Sequence, residues 1–170
     1  MTHFPLADAV LDCDGLINLP KMKTHQLTRI TGAVKNLFGC IPGKRKALYH
    51  VQFPDVDVFS RLLVQLNLTV RPRLHVMDGI IAMEGNGPVG GTPVDMRVAM
   101  ASLDPLAMDT LATKIMGFDP GQIMYLAAMA EAGMGQGDIG KMQVLGTPPD
   151  ECRYQFKPHR KLIEAYGFEA

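Results

Sequence analysis

The sequence predicts an α/β domain built on an open, mostly parallel sheet with helices on both faces. Short apolar runs that stop at Pro or Gly alternate with stretches of three- and four-residue apolar spacing, the signature of strands alternating with helices. Asp104-Pro105 and Asp119-Pro120 each place a capping carboxylate before a proline suited to the first helical turn. With 47% of its 170 residues hydrophobic, the chain is long enough for one substantial core.

Taken in order, Gly15 to Leu19 reads as a buried strand stopped by Pro20. Almost nothing precedes it, and a parallel sheet needs neighbours on both sides, so N-terminal strands of a fuller domain are expected upstream of Met1. Thr28 to Phe38 has helical spacing through Ile30, Val34, Leu37 and Phe38, with Gly32 and Gly39 on the opposite face. Each of those glycines costs roughly 1 kcal/mol relative to Ala in a helix, so a close neighbour, backbone or ligand, is expected there. Pro54 to Leu66 makes a second amphipathic helix, with Asp55 and Asp57 at its positive end.

Leu74 to Met83 reads as a strand or a strand with a bend at Gly79, Glu84 to Pro93 as a loop, and Arg97 to Ser102 as the next strand candidate. Helices follow from Pro105 to Gly117 and from Pro120 to about Ala132. Lys141 to Leu145 reads as a last short strand. Residues 1–146 are expected to form the domain, and residues 147–170 a polar tail with a weak helix at Arg160 to Tyr166.

The longest apolar stretches fall short of the roughly 20 residues that cross a bilayer, and no charged-then-apolar leader opens the chain. A cytoplasmic protein without a membrane partner is the expectation. Cys13, Cys40 and Cys152 are too far apart for a disulfide framework or an iron–sulfur motif. A formal charge of zero gives no nucleic-acid footprint.

The distribution of charge is more informative. Residues 1–75 carry ten Lys and Arg against five Asp and no Glu. Between Gly15 and Pro54 no acidic residue occurs, yet Lys21, Lys23, Arg29, Lys35, Lys44, Arg45 and Lys46 all fall there. Such a one-signed stretch in a folded domain attracts anions. The segment from Leu19 to Lys46 runs from a strand end into a loop and helix, where ligands of open α/β sheets collect. Lys21, Lys23, Thr24, Thr31, Lys35 and Asn36 are the expected anion-binding residues, for a small phosphate or carboxylate ligand. A solvated basic surface is the plain alternative.

Gly85-Asn-Gly87-Pro-Val-Gly90 spells a dinucleotide fingerprint, but Pro88 and Pro93 and the strand that follows set that aside. Gly85, Gly87 and Gly91 are read instead as shaping a loop that brings Glu84 near a site. Parallel neighbouring strands would bring Asp78 and Glu84 to the sheet edge that holds His25. These three are the candidates for acid–base work. His25, Asp78, Glu84 and Asp109, with His50 as an alternative, are the candidates for a divalent metal. Asp104 is explained as a helix cap. Cys40 would be reactive if exposed in its basic surroundings, and inert if buried.

Four blocks occur in order: Ile17-Asn-Leu-Pro-Lys-Met-Lys-Thr-His25, Thr31-Gly-Ala-Val-Lys-Asn-Leu-Phe-Gly39, Asp78-Gly-Ile-Ile-Ala-Met-Glu-Gly-Asn-Gly-Pro88 and Asp104-Pro-Leu-Ala-Met-Asp109. Over roughly residues 5–146 the chain resembles the domain-of-unknown-function 362 family. The resemblance implies that Lys21, Lys23, Thr24, His25, Thr31, Lys35, Asn36, Asp78, Glu84 and Asp109 occupy motif positions. Members are often described as iron–sulfur cluster-binding proteins, because many carry a ferredoxin-like cysteine motif beside this domain. This chain has no closely spaced cysteine set, so the cluster does not carry over. Three functional expectations result: an anion-binding domain open to catalysis, a redox or scaffold module docking a ferredoxin-like partner domain, and a structural oligomerisation domain.

Overall fold

The computed structural model describes residues 4–166. Its helices are α1 (Asp8–Asp12), α2 (Ala33–Asn36), α3 (Arg45–Gln52), α4 (Val56–Val70), α5 (Pro105–Ile115), α6 (Met124–Glu131) and α7 (Arg160–Tyr166). Its strands are β1 (Ile17–Asn18), β2 (Lys21–His25), β3 (Arg29–Thr31), β4 (Leu74–Glu84) and β5 (Thr92–Ser102).

Strand β4 is the axis of the sheet. Strands β1 and β2 follow one another along one side of it, both parallel to β4, with Ile17 opposite Leu74 and Lys21 opposite Asp78. Strand β5 runs antiparallel along the other side, from His75 opposite Ser102 to Glu84 opposite Thr92. Strand β3 returns antiparallel beside β2. The register of β4 against β5 shifts between Gly79 and Ile81, the bend that the sequence allows at Gly79.

The period-two alternation of β4 buries His75, Met77 and Gly79 and then, beyond the shift, Ala82 and Glu84. Over that face lie the helices, with α2 against α4 and α5, and α4 against α6. Phe59, Leu63, Leu66, Leu106 and Tyr125 form the centre of the core. The α/β class and the open sheet are as expected. Over the β4–β5 ribbon the helical cover lies on one face, and the other presents Asp78, Ile80, Asp95 and Ala99 to solvent.

Helix α5 starts where its cap predicts, and α4, expected from Pro54, starts at Val56 because Asp55 caps it. Asp55 accepts the N–H groups of Asp57 and Val58, and Asp104 that of Ala107. Gly117, at φ +81°, closes α5 as expected.

The helix expected over Thr28–Phe38 is instead strand β3, one turn of α2 and a 3-10 turn at Leu37–Cys40. Its apolar residues do point inward. Gly32 breaks the helix because its backbone is extended, at φ −132° and ψ −156°, where the Asp109 carboxylate lies so close that a Cβ would overlap it. The close neighbour expected at Gly32 is thus a carboxylate of this chain, and nothing crowds Gly39.

The helix expected from Pro120 begins as a 3-10 turn, breaks at Ile123 and resumes as α6. No strand forms over Lys141–Leu145, where Val144 and Leu145 are exposed and lack a ladder partner. The segment after residue 146 runs back onto the core. Tyr154 and Phe156 donate backbone N–H groups to the Ile115 and Met116 carbonyls, and Phe156 is fully buried.

Candidate functional site

Alternation along β2 turns Met22 and Thr24 into the core and leaves Lys21 and Lys23 half-buried on the other side. Lys21 meets Asp78 of the adjacent strand at 2.7 Å, a largely exposed pair worth about 0–1 kcal/mol. Its ammonium holds the Asp78 carboxyl below the usual range. These two residues therefore satisfy each other on the open face.

His25 closes β2. Its Nδ1 accepts the backbone N–H of Leu27 at 3.0 Å and of Thr28 at 3.3 Å. An N–H group can only donate, so Nδ1 presents its lone pair and the neutral ring carries its proton on Nε2. Burial, reinforced by Lys35, His50 and Lys23, pushes its pKa down to about 2. At neutral pH His25 is a fixed N–H donor.

Around it an aromatic group is assembled from three elements. The His25 ring lies 6.3 Å from His50 of α3, and His50 stacks 4.9 Å from Phe59 of α4. Phe38 meets His50 edge-on at 5.1 Å, and the Lys35 Nζ stands 5.8 Å from the centre of the Phe38 ring. That distance allows a cation–π contact worth about 1–2 kcal/mol when desolvated, which does not replace a counter-ion.

Lys35 is the unusual group. It is 9% exposed, on the single turn of α2, and among the described residues no hydrogen bond or ion pair reaches its Nζ. Burial, with Lys23 and Lys46 adding like charge, lowers its pKa to about 8. The atom is not sealed off, since it does not figure among the buried polar atoms that lack partners. Thr31, four residues earlier and opposite Lys23 in the β2–β3 ladder, has a buried hydroxyl with no partner. Lys23, His25 and Lys35 stand near enough to feel one another's charge, and among the described residues no carboxylate pairs with either lysine, while the Thr31 hydroxyl is closed to solvent.

The remaining expected residues are engaged elsewhere. Thr24 donates its hydroxyl to the Gly85 carbonyl at 2.8 Å, and Gly87 packs so tightly on the Thr24 backbone that a Cβ would overlap it. Glu84 is buried and accepts the Lys157 backbone N–H at 2.9 Å, while Gly85 N–H donates to the Lys157 carbonyl at 2.8 Å. Gly91 lies against Glu84 and Met83. The glycine loop therefore holds strand β2 and the returning C-terminal segment together.

Asn36 donates to Asn18 Oδ1 at 2.8 Å, and Asn18 in turn donates to the Ala33 carbonyl and to His75 Nδ1, so this amide orders the sheet beneath α2. Asp109 is fully buried and accepts the N–H groups of Ala33 and Val34 and the Tyr125 hydroxyl. Burial lifts its pKa to about 7.

His25, Asp78, Glu84 and Asp109 are not brought together: among the described residues no group of three or more His, Cys, Asp or Glu stands close enough to hold a metal ion. Cys40 is half-buried, and burial pushes its thiol pKa up. Lys46 and His50 complete the basic patch although α3 was not expected from the sequence. Its Leu48 and Val51 are exposed, and Tyr49 is the residue it buries. The surface clefts of about 520 and 370 Å³ are lined by neither Lys23 nor Lys35.

No helix among the described residues is long and apolar enough to cross a membrane. A thylakoid-associated protein of Synechocystis sp. is 41% identical over 133 residues, which are 78% of this chain and 41% of that protein. The chain thus spans less than half the length of this relative. No solved structure matches. The model of the family described as Domain of unknown function (DUF362) matches residues 1–114, and the chain belongs to that family.

Proposed function

We propose that the chain binds a small oxyanion, the phosphate or carboxylate group of a ligand, at the patch formed by Lys23, His25 and Lys35. One observation carries this reading: Lys35 is buried and has no counter-ion among the described residues. An ammonium largely withdrawn from water with no partner is costly, and an anion offsets that cost. The neutral His25 supplies an Nε2–H, an uncharged donor beside the charge.

The roles differ from residue to residue. Lys35 and Lys23 provide charge, and His25 orients the guest as a donor; it is not a base at neutral pH. Asp78 and Glu84 stand outside the patch because Lys21 and Lys157 hold them.

Titration with inorganic phosphate and, separately, acetate, followed by NMR of the histidine and lysine side chains, tests the proposal. Binding is expected to shift His25 Nε2 and Lys35 and to vanish in Lys35→Met. Saturable binding that survives Lys35→Met, or an absence of shifts at these residues, overturns it.

A further inference from the structure

The positive charge around Lys35 exceeds what one negative group balances. Lys46 stands one turn before His50 on the face of α3 that buries Tyr49, and the His50 ring lies 6.3 Å from that of His25. From there Lys46 is near enough to lower the Lys35 pKa, as Lys23 does from β2. Among the described residues no carboxylate pairs with Lys23, Lys35 or Lys46. Three ammoniums from three elements therefore share one locality.

The returning C-terminal segment adds an uncharged donor. Glu84 and Gly85 hold the Lys157 backbone at 2.9 and 2.8 Å, Asn86 Oδ1 accepts the Arg160 N–H at 3.3 Å, and the Gly85 carbonyl is bonded to Thr24, next to His25. His159, between Lys157 and Arg160, is thereby set near the end of β2, close enough to lower the His25 pKa. It is buried, and its Nδ1 accepts the Lys161 N–H at 3.1 Å, so the neutral ring carries its proton on Nε2, as in His25. Burial, with Lys161 and Arg160 adding like charge, holds its pKa below the usual range.

We propose that the guest is a phosphate monoester group carrying two negative charges, and that Lys46 and His159 bind it together with Lys23, His25 and Lys35. This rests on the anion reading above and narrows it to one class of ligand. A carboxylate or a phosphate diester brings one negative charge to three ammoniums and leaves two of them uncompensated. A monoester, charged about −1.5 to −2 at pH 7, leaves about one. It also brings three terminal oxygens where a carboxylate brings two, so the imidazole N–H groups find acceptors without displacing an ammonium. Attraction between such charges grows in proportion to the charge on the guest, and more steeply where water is partly excluded, as at Lys35.

Calorimetric titration of the full chain at pH 7 with methyl phosphate, dimethyl phosphate and acetate tests the proposal, the last two being singly charged. Methyl phosphate is expected to bind at least about tenfold more tightly than either monoanion. Lys46→Gln is expected to bring methyl phosphate down to the affinity of dimethyl phosphate, which still binds. His159→Asn keeps an acceptor for the Lys161 N–H but has no donor at the Nε2 position, and is expected to weaken methyl phosphate by about tenfold. His159→Gln, whose amide N–H group reaches that position, is expected to restore binding. The proposal is overturned if the three ligands bind equally, if the preference survives Lys46→Gln, or if His159→Asn binds methyl phosphate as the unaltered chain does. Equal binding that is lost in Lys35→Met overturns this inference and leaves the anion reading standing, whereas a chain that binds none of the three overturns both.

Discussion

Asp109 Oδ2 accepts the backbone N–H of Val34 at 3.0 Å across 75 residues of sequence. With the Ala33 N–H on its other oxygen, the carboxylate caps the single turn that carries Lys35, and Tyr125 donates to it from α6. A helix of one turn has too few internal bonds to persist alone, so this cap fixes where Lys35 stands.

Asp109→Ala leaves the two N–H groups and the Tyr125 hydroxyl buried without an acceptor. At about 1–3 kcal/mol for each orphaned group, the loss is expected to be on the order of 4 kcal/mol by urea unfolding. Asp109→Asn keeps an acceptor and is expected to lose less. Because the folded pKa of about 7 lies above the ordinary 3.8, the native state binds the extra proton between those values. This residue's contribution to stability is therefore expected to fall as pH rises from about 4 to 7, and the Asp109→Asn variant is expected to show a flatter slope.

Lys35 gives the opposite sign. Its folded pKa of about 8 lies below 10.5, so the unfolded chain binds more protons in between, and stability is expected to rise with pH through that window. The penalty is complete below about pH 8. Lys35→Met is expected to stabilise the free protein at pH 7 by on the order of 1–3 kcal/mol while abolishing phosphate binding. A variant that loses both stability and binding would show that the ammonium has an internal partner.

His25 governs the acid side. With a folded pKa of about 2 against 6.5, the unfolded chain takes up the proton first, so stability is expected to fall as pH drops from 6.5 toward 2. His25→Gln is expected to be less stable at pH 7, having lost the acceptor for Leu27 and Thr28, but less sensitive to acid. Parallel unfolding curves of the two proteins between pH 7 and pH 4 would contradict this.

Gly87 is expected to resist any side chain. A Cβ there would overlap the Thr24 carbonyl, which sits in the strand between Lys23 and His25. Gly87→Ala is expected to cost about 1–3 kcal/mol and to shift the His25 resonances, through displacement of β2. Gly39→Ala, with open space around it, serves as the control and is expected to leave both unchanged.

The sequence alone determined the α/β class, the cap of α5 at Asp104, the strand β4 and the family. Those features are local: a cap, a period or a glycine is written in a few adjacent residues. It also marked the basic stretch from Lys21 to Lys46, because an excess of one charge is a property of composition. Which of these lysines were neutralised was settled only by tertiary structure. Lys21 found Asp78 because β2 and β4 are neighbours in a parallel register, whereas Lys35, on a turn packed against α4 and α5, has no ion-pair partner among the described residues.

The short turn of α2 was illegible for the same reason. Its apolar spacing fits a long helix, and only the carboxylate of Asp109, folded in from far along the chain, leaves no room for more than an extended glycine at position 32. Asp78, Glu84 and Asp109 look alike in sequence, as carboxylates near strand or helix ends. Tertiary contacts gave one to a surface ion pair, one to the returning C-terminal segment and one to a helix cap. Burial and hydrogen bonding set a group's charge and role, and both depend on residues that sequence order keeps apart.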